Sequence, residues 1–152
     1  MSLRPFVALA AAAALFGAAT PARADNLTLV SALIKWAAVA EKDAGALGPA
    51  VDKGPGAADA AALKLQRDSA SAVRSLGAIT PSSPLGVKVR DQVVVALRNY
   101  QKAALELHLA VAAAEQNDAK GAQQHVMKAL TVAKLGGGQM TQASKLLAKL
   151  KA

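Results

Sequence analysis

From Val89 to Ala114 the chain sets Val89, Val93, Ala96, Tyr100, Ala103, Leu107, Ala110 and Ala114 at alternating spacings of four and three. That spacing keeps one side of an α-helix apolar for more than three heptads, and such a stripe needs partner helices to cover it. Half of these positions are alanine, so helix backbones can approach closely while each side chain buries little area. At ~25 cal/mol per Å2 the driving force then falls to the larger side chains, among them Leu33, Leu65, Leu76, Leu97, Leu130 and Leu147. The expected core is narrow and leaves little room for a large cofactor.

The same period recurs elsewhere. Val30, Leu33, Ala37 and Ala40 predict a first helix over about 27–44, capped by Asn26 or Thr28 and ended near Gly45. Gly48-Pro49 and Gly54-Pro55-Gly56 then predict a long punctuated loop. Ala58, Ala62, Leu65, Ser69, Ala72, Leu76 and Ile79 predict a second helix over about 57–78. Ser83 as N-cap and Pro84 at the first helical position start a third over about 84–116. Asn117-Asp118 turns the chain into a fourth over about 119–135, with Ala122, Val126, Ala129 and Ala133 facing inward. Gly136-Gly137-Gly138 reads as a stop, because glycine costs about 1 kcal/mol inside a helix. A short last helix over about 139–150 would pack Met140, Ala143, Leu146, Leu147 and Leu150. No stretch alternates apolar and polar residues long enough for a strand. The expectation is an all-α antiparallel four-helix bundle with a short extra C-terminal helix.

Residues 1–24 read as a cleavable signal peptide. Arg4 gives a positive start, Phe6–Ala19 an uncharged run of 14 residues, and Ala22-Arg23-Ala24 a small-residue cleavage site. The run is short for a bilayer span of ~20 residues. Cleavage before Asp25 leaves a single domain of 128 residues, 25–152, in the periplasm or secreted. It folds without disulfides, since the chain has no cysteine. No later segment is apolar enough to span a membrane; the nearest, Ala103–Ala114, carries Glu106 and His108.

Charge is uneven along the chain. Asp25–Asp118 holds ten basic and ten acidic side chains, whereas Ala119 onward holds six lysines and no acid. Lys128, Lys134, Lys145, Lys149 and Lys151 are therefore the candidate anionic-surface residues, facing an anionic envelope component or a partner protein. The apolar and basic sides of the last helix suit the same role.

Other chemistry is sparse. No serine-hydrolase elbow, His-Glu-x-x-His or phosphate-binding glycine loop is present, and no cysteine nucleophile. No catalytic or cofactor residue is assigned, and no cofactor is expected. His108, His125 and Met127 are the candidate metal ligands: a tight hairpin at Asn117-Asp118 would set both histidines at similar heights, and sulfur suits Cu(I). Nucleic acid is not the expected partner, because Trp36 and Tyr100, the two aromatics beyond the leader, sit at helical core spacing.

The order of features resembles a known group. Trp36 in a first helix, Asp68 inside a second and the Thr80-Pro81-Ser82-Ser83-Pro84 break are followed by Arg90, Ala96-Leu97, Tyr100 and Ala103-Ala104. A late glycine and a leucine-rich helix come last. This is similar to uncharacterised exported alanine-rich helical-bundle proteins of GC-rich bacteria, especially actinobacteria. The resemblance implies a small bundle outside the cytoplasm and carries over no functional residue. The expected function is a non-enzymatic binding or interaction protein of the bacterial envelope. A small-ligand or copper-binding bundle, and an enzyme with an unrecognised carboxylate site, are the alternatives.

Overall fold

Two prolines and two side-chain caps set where the helices begin. The computed structural model describes residues 21–151, with side-chain surroundings for 27–150. Four helices follow in order: α1 (Pro21–Asp52), α2 (Pro55–Gly77), α3 (Pro84–Glu115) and α4 (Ala119–Lys151). Gly54, at φ 108, takes a backbone conformation closed to most side chains and hands the chain to Pro55. Ser83 Oγ accepts the Gly86 N–H at 3.0 Å, with Pro84 at the first helical position, as the sequence predicts. Asn117, at φ 59, reverses the chain, and Asp118 Oδ1 accepts the Gly121 N–H at 2.8 Å to start α4. Most of the expected leader lies outside the described residues; Ala22-Arg23-Ala24 is part of α1.

The described residues are all-helical and contain no strand. Two expected boundaries are corrected. The first helix does not start at a cap near Asn26 or stop near Gly45, but runs on through Gly45, Gly48 and Pro49 to Asp52. Pro49 lacks the N–H that would pair with the Gly45 carbonyl, and the helix continues less than one turn beyond it. The long loop shrinks to Lys53-Gly54. The second correction is larger: 119–135 and a separate short helix over 139–150 are one helix of 33 residues, about 50 Å long.

The triple glycine does not stop α4 because Gly136 is where that helix seats on α3. A Cβ built at Gly136 would stand 3.2 Å from the Ala96 carbonyl oxygen, 3.3 Å from Tyr100 Cε1 and 3.4 Å from Asn99 Cβ. Only a residue without a side chain fits there without displacing its neighbours. Ala129 and Ala143, seven residues to either side, are also buried, and so are Ala96, Ala103 and Ala110 on α3. Small residues at heptad spacing on both helices give α3 and α4 the most extensive helix pairing in the fold. Close packing along the whole interface offsets the propensity cost of three glycines.

That seating also turns α4 relative to the expected inward face. Ala129 is buried, but Val126 is 39% exposed, and Leu130, expected in the core, is 53% exposed. Gly136, Met140, Ala143 and Leu147 continue the buried line instead. The other faces are as the spacing predicts. Val30, Leu33, Ala37 and Ala40 are buried on α1, as are Ala58, Ala62, Leu65, Ser69, Ala72 and Leu76 on α2. On α3 the stripe from Val89 is buried to Ala110, with Leu107 half-buried, and ends at an exposed Ala114. α3 is the hub, packed between α2 and α4, with α1 resting mainly on α2.

Candidate functional site

Every lysine described on α4 points to solvent. Lys120, Lys128, Lys134, Lys145 and Lys149 are exposed. Among the described residues none of them has a carboxylate within ion-pair distance, in contrast to Lys64, Arg67 and Arg90. The cause lies in the helix itself. α4 contains no aspartate or glutamate, so no i, i+4 partner exists, and the polar groups it turns toward α3 are His125 and Gln139, not lysines. The side chain of Lys151 is outside the described ones. From Lys120 to Lys149 the row spans about 44 Å of helix axis.

Apolar side chains stand among these lysines. Met127 is 59% exposed, Leu130 53% and Leu135 58%. Lys120, Met127 and Lys134 succeed one another at intervals of seven and so share one side of the helix. Half-exposed apolar side chains also occur on the other helices, Val51, Leu63 and Leu105 among them, so on α4 it is their place among unpaired lysines that sets these three apart. The continuous helix unites Lys128 and Lys134 with Lys145 and Lys149 on one rigid element.

The two histidines go to different neighbours. His108 Nδ1 pairs with Asp59 Oδ1 of α2, and His125 Nδ1 lies 2.7 Å from Glu106 Oε2 of α3. Glu106 and His108 are two residues apart, which places them on different sides of α3. Each pair therefore ties α3 to a different helix, and Met127 is turned to solvent. Among the described residues no three of histidine, cysteine, aspartate and glutamate gather as a metal site. An open cleft of about 520 Å3 lies along the start of α3, lined by Val87, Lys88, Asp91, Val95 and Gln139 among others. None of the candidate metal residues lines it.

A second polar cluster has no counterpart in the sequence reading. The Asp43 side chain on α1 is 3% exposed and pairs with Lys64 of α2, whose Nζ also lies 2.7 Å from Asp68 Oδ2. Arg67 adds a contact at 3.5 Å to Asp68. Hydrogen bonding from Lys64 holds the Asp68 carboxyl below its ordinary value against the opposing effect of burial, and Asp43 and Asp68 raise the Lys64 ammonium. The i, i+4 spacing of Lys64 and Asp68 was a visible signal, but Asp43, 21 residues before Lys64, was not. This cluster reads as a clamp between α1 and α2, because removing the cation would leave a buried carboxylate without a partner.

Tyr100 is 4% exposed, and burial, reinforced by the charge of Glu41, raises its phenol well above the ordinary range. It stays neutral and acts as core. Trp36 is half-buried with the Lys35 ammonium 5.0 Å from its ring. No family model matches this chain, and no curated protein or solved structure matches it.

Proposed function

We propose that this chain is an exported, non-enzymatic binding module that holds an anionic partner of the bacterial envelope on the lysine face of α4. On this reading residues 1–24 are removed on export and the mature domain works in the periplasm or outside the cell. The helices run antiparallel, a reading supported by three pairings between neighbours: Asp43 with Lys64, Asp59 with His108, and Glu106 with His125. The observation that carries the proposal is the single helix with no acid of its own and five exposed lysines, none of which has an ion-pair partner among the described residues. A preformed helix needs no backbone ordering on meeting a second charged surface, so only the lysine side chains lose freedom there.

Two variants of equal net charge test it. Lys128→Gln/Lys134→Gln/Lys145→Gln should release the mature domain from immobilised heparin at clearly lower salt than the parent. Lys35→Gln/Lys53→Gln/Lys102→Gln, exposed outside α4, should elute close to the parent. Equal shifts for the two variants would show that net charge alone is sensed, and would reject α4 as the site.

A further inference from the structure

We infer that the anionic partner is a lipid bilayer, with α4 lying lengthwise on its surface. This rests on the proposed α4 interface and adds the chemistry that would fill it. The lysines supply attraction to anionic headgroups along about 44 Å, a length that suits a flat, extended surface better than a compact ligand. Met127, Leu130 and Leu135 supply the rest. They project from the exposed half of the same helix, at the level of Lys128 and Lys134, and reach the apolar zone beneath the headgroups.

Other occupants fit less well. A second copy of this chain laid against α4 would set lysine against lysine, with no acid on either helix to offset them. A soluble acidic polymer would satisfy the lysines and make no use of the three apolar side chains that stand among them. Only a surface that is anionic at its rim and apolar just below uses both parts. The helix itself is not a spanning segment; among the described residues no helix is long and apolar enough to cross a membrane. The contact is therefore interfacial, with the bundle remaining outside the bilayer.

Co-sedimentation of the mature domain with vesicles tests this. Vesicles of equal parts phosphatidylglycerol and phosphatidylcholine should bind it, and pure phosphatidylcholine should not. Each Lys→Gln change at 128, 134 or 145 should weaken partitioning about fivefold. Met127→Gln/Leu130→Gln should weaken vesicle binding about tenfold or more while leaving heparin retention unchanged. Both residues are exposed, so the fold should survive, which a helical circular dichroism spectrum checks. Heparin retention that depends on the α4 lysines, with no vesicle binding, would overturn the bilayer inference and leave the anionic interface standing. Absence of both would overturn the two together. Vesicle binding indifferent to Met127→Gln/Leu130→Gln would show adsorption by charge alone and would also overturn the inference.

Discussion

Replacing Gly136 with alanine adds one methyl group at the tightest point between α3 and α4. The nearest atom, the Ala96 carbonyl oxygen at 3.2 Å, belongs to the α3 backbone and has no rotamer to retreat into. The Tyr100 ring at 3.3 Å is itself buried. Two effects of opposite sign meet here. Alanine is the better helix former by about 1 kcal/mol, whereas forcing an extra carbon into a packed interface costs about 1–3 kcal/mol. Since the short contact is to backbone, packing wins, and Gly136→Ala should destabilise the domain by about 1 kcal/mol. Gly138 is the internal control, being exposed with nothing within 4 Å of an added Cβ. Gly138→Ala should collect the propensity term alone and stabilise by about 1 kcal/mol. The variants should differ by about 2 kcal/mol, or about 6–8 °C in Tm for a domain of this size. Urea unfolding followed by circular dichroism, with m-values compared, reads the difference. If Gly136→Ala stabilised as much as Gly138→Ala, α4 would not be seated on α3 at Gly136, and the explanation for its continuity would fail.

Two further outcomes follow from burial and charge. Leu97→Ala should cost about 2–5 kcal/mol in urea unfolding because Leu97 is fully buried, whereas Leu130→Ala, at a half-exposed site, should stay within about 0.5 kcal/mol. For Asp68 the folded-state pKa lies below its ordinary value of 3.8, so its contribution is present above that value and is lost as pH falls through the folded pKa. Asp68→Asn should therefore flatten this part of the acid limb of the urea midpoint. On the basic side the Lys64 pKa is raised above 10.5, so the clamp weakens only at still higher pH.

The faces of α2 and α3 could be read from spacing alone, since each helix is flanked by clear start signals and its apolar residues keep one period throughout. α4 could not. Local propensity at Gly136-Gly137-Gly138 favours a stop, and only the approach of Ala96 and Tyr100 from another helix reverses it. A helix cut at 135 offers too few residues to fix its inward face, and Leu130 then reads as core although it is half-exposed. The lysine asymmetry was visible as charge, but its union on one rod required the helix to continue. The partners of the histidines were hidden for a different reason: Asp59 lies 49 residues from His108, and Glu106 lies 19 from His125 across a turn. Such pairs depend on how two helices are set against each other, which neither helix encodes by itself.

Lysine acetylation footprinting, with and without phosphatidylglycerol-containing vesicles, tests the α4 interface most directly. Lys120, Lys128, Lys134, Lys145 and Lys149 should be protected when vesicles are present, while Lys35, Lys42, Lys53, Lys88 and Lys102, also exposed but outside α4, should react as in free protein. Protection spread evenly over both sets, or confined to the second, would contradict it.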